Sequence, residues 1–527
     1  MVDSEVSEPA AALPLRPSSV APSALAMLSH MAGAELRGPG MVSVTGVSSN
    51  SDLVEPGDLF AALPGSTGHG ARFGAVARAR GAVAVLTDPD GLTQLADLGL
   101  GDLPALLVAD PRSVLGAISS QVYGHPSRSV PVLGVTGTSG KTTTTFLVRA
   151  GLQQAGRRTG LIGTVGVFVA DEVIKTPFTT PEAPQLQALL AVMVERGTRC
   201  VAMEVSSHAL RMGRVDGVEF AVAAFTNLSQ DHLDFHQDMQ DYFAAKALLF
   251  DGRARREVVV IDDDWGRRLV DSKTVTVSTT GGGDWRATGI AVRQDGSTRF
   301  RVTGPAGSFD AGCRIPGRYN VANAVLAFAI LSEVGVDPRA VAGAVGAAQV
   351  RGRMELVEGG QPFLAVVDYS HKPAGVSGAL AALRPLTEGR LIIVLGCGGD
   401  RDRGKRPVMG EVAARYADVL IVTDDNPRSE DPATIRAAML NGARSVPAAE
   451  SARIIEEGDR RAAIYLAVRL AEPGDTVLVA GKGHETGQEF CGYMLNFDDV
   501  SVMREALLSR EFRPSAGNTS EQDVTGA

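Results

Sequence analysis

The sequence predicts an α/β protein of three domains, and three observations predict it. An apolar, β-branched run from Val132 leads through a glycine-rich turn into a helix-compatible segment ending near Gln154. Similar apolar runs ending in polar turns recur as far as Ala480, and 527 residues are too many for one core. The expected order is a tail over 1–22, a small α/β domain over 23–125, and a central phosphate-loop ATPase domain with a mostly parallel sheet over 126–355. A Rossmann-like domain over 356–513 and a second tail over 514–527 complete it.

Composition narrows the partners. The formal net charge is −9 with no long basic run, which points away from nucleic acid and toward small molecules. Hydrophobic residues make up 44% and charged residues 21%, a globular balance, and no apolar run is long enough to span a membrane. The acidic Asp3, Glu5 and Glu8 stand where a signal peptide would carry lysine or arginine. Cys200, Cys313, Cys397 and Cys491 are too scattered for a zinc site or a disulfide framework, so a reducing cytoplasm is expected. Both tails are rich in small and polar residues without periodicity, and are expected to be disordered.

In the first domain, strands are expected at Asp58 to Leu63, after the Pro56-Gly57 turn, and at Gly81 to Leu86. Between them, Pro64 to Gly70 is a polar, glycine-rich loop that either binds a ligand or only turns the chain.

The central domain carries Gly134-Val135-Thr136-Gly137-Thr138-Ser139-Gly140-Lys141-Thr142-Thr143. Glycines let backbone N–H groups converge on phosphate oxygens, the helix start adds partial positive charge, Lys141 reaches the terminal phosphates, and the Thr142 hydroxyl suits Mg²⁺. ATP is the expected ligand. Val135 stands where the longer phosphate-loop pattern has glycine, and an ordinary turn with a surface lysine is the alternative. The strand from Cys200 ends in Glu204, placed to face the nucleotide's Mg²⁺. The strand from Phe220 to Thr226 ends in Asn227 to His236, whose His232 and His236 suit a metal or phosphate, or form a solvated loop. Lys246 lies in an apolar helix, where most lysines only extend past their neighbours to water. Asn320 and Asn323 share a helical face and either read a base or cap the helix.

Four strands are expected in the third domain: Phe363 to Val367, Leu391 to Leu395, Val419 to Thr423 and Thr476 to Ala480. Each ends in a polar or glycine-rich turn, and together the turns form a binding site at one edge of the sheet, without a dinucleotide fingerprint.

The phosphate loop, Glu204-Val205-Ser206-Ser207-His208, Asp231-His232-Leu233-Asp234, Gly352-Arg353-Met354-Glu355 and Asp425-Asn426-Pro427-Arg428, in this order, closely resemble the Mur ligases. The resemblance covers roughly Val42 to Leu508. It implies a cytoplasmic enzyme of peptidoglycan precursor synthesis, working as a monomer, that adds meso-diaminopimelate to UDP-N-acetylmuramoyl-L-alanyl-D-glutamate. ATP would phosphorylate the D-glutamate carboxylate, and the amine would displace phosphate after domain closure.

By resemblance, Gly137, Thr138, Ser139, Gly140, Lys141, Thr142 and Thr143 hold the ATP phosphates, with Asn320, Arg353 and Asp368 as further nucleotide contacts. Thr142, Glu204 and His232 would ligate Mg²⁺, and Lys246 would carry a CO₂-derived carbamate for a second ion. With Lys141, the residues Glu204, His232 and Lys246 form the implied catalytic set. Thr179, Thr180, Ser206 and Arg214 match the uridine-nucleotide substrate site, and Ser49, Ser51, Ser66, Thr67 and Gly68 the uridine grip of the first domain. Arg401, Asp425, Asn426, Pro427, Arg428, Gly481 and Glu485 match the diaminopimelate site, with Arg428 on the distal carboxylate and Glu485 on the distal ammonium. The chain departs from commoner family wording at Asn50-Ser51-Asp52, Met212, Ser370 and Lys372. A nucleotide-gated switch or simple phosphotransferase, a lysine-adding relative and folylpolyglutamate synthetase are the alternative functions.

Overall fold

The computed structural model describes residues 16–510 apart from 66, 67, 171, 175, 177, 234 and 306. By its internal packing the chain divides into two units, one of residues 1–291, 299–313 and 319–348, the other of 292–298, 314–318 and 349–527.

The first unit holds two main sheets. The smaller has five strands in the order Glu35–Arg37, Ala105–Leu107, Ala84–Thr87, Asp58–Ala61, Gly46–Ser48. All its pairings are parallel except the first. Two of its strands are shorter than the sequence suggests: Asp58–Ala61 stops before Leu63, and Ala84–Thr87 starts after the Gly81 turn, where φ is +105°. Within the expected N-terminal tail, residues from 16 onward are described and Arg16 is fixed. Its guanidinium donates to both oxygens of Asp58, which is 1% exposed, at 2.6 and 2.7 Å. A buried carboxylate needs such a partner, and this one ties the segment to the sheet.

The larger sheet has eleven strands, and its centre is parallel: Thr159–Gly163, Cys200–Glu204, Val132–Thr136, Phe220–Phe225, Ala254–Val260 and Val275–Ser278 lie side by side. Val132–Thr136 and Cys200–Glu204 are buried along their whole length, because helices such as Lys141–Gln154 and Ala183–Glu195 pack on the sheet. This explains the continuous apolar runs. The strands Trp285–Val292, Thr298–Gly304 and Gly307–Cys313 extend one margin.

The second unit holds a six-stranded sheet in the order Glu355–Leu356, Leu364–Asp368, Thr476–Ala480, Leu391–Leu395, Val419–Val422, Arg453–Glu456, parallel except for its first pair. The four strands read from sequence are present within one residue at each end. Arg460 opens the helix Arg460–Leu470 and is fully buried with Asp499, at 2.7 and 2.8 Å, while its Nη2 donates to the Ala480 carbonyl at 3.0 Å. One ion pair therefore ties two helices to the strand end from which Gly481 departs.

Candidate active site

The phosphate loop leaves the strand Val132–Thr136 at Gly137, where φ is +142°, and enters the helix at Gly140, where φ is +87°. A side chain at Gly137 would strike the Thr226 hydroxyl, and one at Gly140 would strike the Asn323 side chain, so both glycines are sterically required. The helix starts at Lys141, one turn earlier than its apolar pattern suggests, and its N-cap offers no side-chain acceptor. Its first N–H groups are an anion site by construction. Two loop N–H groups are engaged by Asn227: Thr138 donates to its carbonyl at 2.9 Å and Ser139 to its side-chain oxygen at 3.1 Å. The Asn227 amide donates back to the Ser139 carbonyl at 3.1 Å, which clamps the loop.

Two lysines converge on one atom. Lys141 Nζ and Lys246 Nζ each donate to the Gly137 carbonyl at 2.8 Å, and Lys141 also reaches the Thr138 carbonyl at 2.9 Å. Lys246 is 1% exposed, in the helix Met239–Ala247, and its ammonium lies 4.5 Å from the Tyr242 ring centroid. Burial first, and then the charge of Lys141, hold its pKa well below the ordinary lysine value. Such an amine is readily neutral, the form that reacts with CO₂.

Glu204 is buried at the end of its strand and accepts from the Thr142 hydroxyl at 2.9 Å, the Thr164 N–H at 2.9 Å and the Thr164 hydroxyl at 3.1 Å. Thr142 and Glu204 bring hard oxygen donors together at the helix start, a set that fits Mg²⁺. His232 has a φ of +54°, and its ring lies 4.9 Å from His208 and 6.0 Å from Tyr242. Among the described residues, no three His, Cys, Asp or Glu side chains are grouped to hold a metal. His236 is buried and bridges Ser207 at 3.1 Å and Asp241 at 3.2 Å.

Beyond Glu204, the expected substrate residues form a hydrogen-bonded wall. The Thr180 hydroxyl donates to the Glu204 carbonyl at 2.9 Å and accepts from the Ser206 N–H at 3.2 Å, so it is spent on the scaffold. Thr179 meets Thr164 at 3.1 Å, and Ser206 caps the helix Ser207–Arg211. Arg214 pairs with Glu182 at 2.9 Å and lies 4.4 Å from the Phe178 ring centroid, and Glu182 also meets Arg112 at 3.3 Å. In the smaller sheet, Ser51 is buried at the start of a short helical turn, Ser49 is half-buried, and Gly68 lies in a two-residue strand. Ser66 and Thr67 lie outside the described residues. Asn320 and Asn323 are both buried inside the helix Tyr319–Glu333 rather than capping it. Asn323 donates to Asn320 at 2.8 Å and backs Gly140, which joins this helix to the phosphate loop.

In the second unit, Asp368 accepts from the Met354 N–H at 2.8 Å and the Ser370 N–H at 2.9 Å, and also bonds the Ser370 hydroxyl. Arg353 lies 4.4 Å from the Tyr369 ring centroid. His371 beside them has its pKa pushed down to about 4, chiefly by burial. The loops after Leu391–Leu395, Val419–Val422 and Thr476–Ala480 bring together Asn426, Arg428, Gly481 and Glu485. Asn426 donates to Glu485 Oε2 at 2.8 Å, and Asp425 packs against Gly481, where φ is +116°. The Gly399 N–H bonds the Asn426 carbonyl at 2.9 Å, and Pro427 packs on Gly399. Arg428 has a φ of +53°, donates to the Gly399 carbonyl at 2.7 Å and pairs with Glu489 at 3.3 Å. Arg401 is exposed nearby, in the same loop as Gly398.

Three family models match in the same order along the chain: "Mur ligase family, catalytic domain" over 43–123, "Mur ligase middle domain" over 135–331 and "Mur ligase, glutamate ligase domain" over 352–483. A UDP-N-acetylmuramoyl-L-alanyl-D-glutamate--2,6-diaminopimelate ligase of Streptomyces coelicolor is 52% identical over 502 residues, 94% of this chain and 98% of that protein. The chain belongs to the Mur ligase family. A Corynebacterium efficiens protein of the same name is 52% identical over 468 residues, covering 87% of this Mur ligase and 89% of the relative. A solved structure of a ligase of that name superposes with a TM-score of 0.67 at 30% identity, covering 93% of this chain and 99% of that one.

Asn227, Thr164, Glu182, Lys482 and Glu489 of this Mur ligase carry no role that is plain in the sequence alone. Asn227 was findable as the first polar residue after a buried strand beside the loop. The others are single polar residues in turns or ordinary patterns, and only the fold shows their partners.

Proposed function

We propose that this Mur ligase joins meso-diaminopimelate to UDP-N-acetylmuramoyl-L-alanyl-D-glutamate, driven by ATP and through an acyl phosphate. The observation that carries this reading is the convergence of Lys141 and Lys246 on the Gly137 carbonyl, beside an uncapped helix start and the Thr142–Glu204 pair. A carboxylate is a poor acyl donor, and two anions must approach for it to be activated. The positive charge of Lys141 and the oriented N–H groups of the loop and helix start offset that repulsion.

In this reading, Gly137 to Thr143 orient the triphosphate and Lys141 follows the transferred phosphoryl group. A D-glutamate oxygen forms the new P–O bond as ADP leaves. The amine of diaminopimelate then attacks the acyl carbon, loses a proton, and phosphate departs. Thr142, Glu204 and His232 would hold Mg²⁺, and a Lys246 carbamate would serve a second ion; bound there, the ions would neutralise phosphate charge. The carbamate forms when the neutral Lys246 amine adds CO₂ and releases a proton. Asn320, Arg353 and Asp368 are assigned to the nucleotide, and Thr179, Ser206 and Arg214 to the muramoyl dipeptide, with Ser49, Ser51 and Gly68 toward its uridine end. Thr180 supports that wall from behind. Work in the cytoplasm as a monomer completes the proposal.

Arg428 is assigned to the distal carboxylate of diaminopimelate and Glu485 to its distal ammonium, with Arg401, Asp425, Asn426, Pro427 and Gly481 shaping the pocket. Lysine lacks that carboxylate and forgoes a charge-assisted contact with Arg428, which keeps only Glu489 as its anionic partner, a loss on the order of ten- to a hundredfold in kcat/KM. The test is kcat/KM for both amino acids in wild type and Arg428→Ala. Wild type should prefer diaminopimelate and Arg428→Ala should lose most of that preference. A wild-type preference for lysine, or full retention by the variant, contradicts the assignment.

A further inference from the structure

Lys482 has no part in the reaction described above, yet it is fully buried beside the proposed amino-acid pocket. Its ammonium donates to Asn426 Oδ1 at 3.0 Å and to Glu485 Oε2 at 3.2 Å. Asn426 Nδ2 donates to the same carboxylate oxygen at 2.8 Å, and Asn426 Oδ1 also accepts from the Glu489 N–H at 3.0 Å. The side chain of Glu485 is 36% exposed and that of Lys482 is 0% exposed, so the carboxylate opens outward with the cation behind it. Across Asn426, Arg428 pairs with Glu489 at 3.3 Å. Each cation is thus matched by one carboxylate.

Such a patch is locally neutral, and it suits a ligand end that is itself neutral. A zwitterionic end can set its ammonium on Glu485 and its carboxylate on Arg428 while adding no net charge. A lone ammonium brings an unmatched positive charge toward a buried cation, in surroundings where screening is weak.

We infer that Lys482 is a specificity-determining positioning residue: acting through Glu485 and Asn426, it biases the pocket toward amino acids with a zwitterionic far end and against those ending in a lone ammonium. This rests on the reading of Asn426, Arg428 and Glu485 as the amino-acid site. Stability is a poor alternative explanation, because a buried ion pair is often no more stabilising than apolar residues of the same volume.

The test compares diaminopimelate with L-lysine in the full-length enzyme carrying Lys482→Met or Lys482→Gln. The ratio of the two kcat/KM values should fall about tenfold, through KM for the amino acid, while KM for ATP and for the muramoyl dipeptide stays unchanged. Glu485→Gln keeps Lys482 but unmasks its charge, so its ratio should rise; this variant carries the test if neither Lys482 variant folds. An unchanged ratio, or KM rising together for all three substrates, overturns the inference. If Asn426→Ala weakens amino-acid binding while the Lys482 variants keep the wild-type ratio, only the inference falls. If Asn426→Ala and Glu485→Gln leave amino-acid KM untouched, the pocket reading fails and takes the inference with it.

Discussion

Lys246 concentrates the chemistry of the site in one side chain. Its amine is buried, bonded to the Gly137 carbonyl and depressed in pKa first by desolvation and then by Lys141. Folding therefore favours its neutral form, whereas the unfolded chain holds it protonated up to its ordinary value of 10.5. The resulting cost to stability is greatest below the folded pKa, shrinks as pH rises toward 10.5 and is absent above it. Lys246→Met should abolish most ligase activity while raising Tm at neutral pH, with a gain that fades as pH rises. Thermal unfolding from pH 7 to 10 checks this, and a lower Tm at every pH would contradict it. His371 works in the same direction at lower pH. Its folded pKa of about 4 lies below the ordinary 6.5, so stability is complete above 6.5 and is lost as pH falls toward 4, on the order of 3 kcal/mol in all. His371→Gln should flatten that limb in a denaturation series against pH. In the sequence, Lys246 is one lysine in an apolar helix, and only the resemblance singles it out, because burial and a carbonyl 109 positions away leave no mark on periodicity.

At the scale of elements, the strands that end at the site were the most legible feature. Leu391–Leu395 and Thr476–Ala480 match their apolar runs residue for residue, since strands buried on both faces need uninterrupted apolar sequence. The outer strands Trp285–Val292 and Thr298–Gly304 were not read, because exposed positions recur along them and Arg286, Thr288, Arg299, Arg301 and Thr303 interrupt their apolar residues. Thr180 matched a substrate position in sequence but spends its hydroxyl between two backbone groups. The Arg460–Asp499 pair was equally hidden, its partners being 39 residues apart. It anchors the strand end before Gly481, so Asp499→Ala should leave a buried guanidinium unmatched and cost about 3–5 kcal/mol, measurable by urea denaturation. A change below about 1 kcal/mol would show that the pair is not needed to hold that strand end.

For the whole molecule, the phosphate loop and the order of three family segments were readable because each motif is local. The pairings that give those motifs their chemistry join distant parts of the chain, as Thr142 meets Glu204 and Asn426 meets Glu485. Among the described residues, no helix is long and apolar enough to cross a membrane. The central claim is that ATP cleavage is coupled to amide formation. ADP, phosphate and the tripeptide product should be quantified together, with the UDP-muramoyl dipeptide or meso-diaminopimelate omitted in turn. The account predicts equal amounts of all three products, and little ADP when either substrate is missing. Undiminished ADP release without the dipeptide or the amino acid, or ADP without new amide, would contradict it.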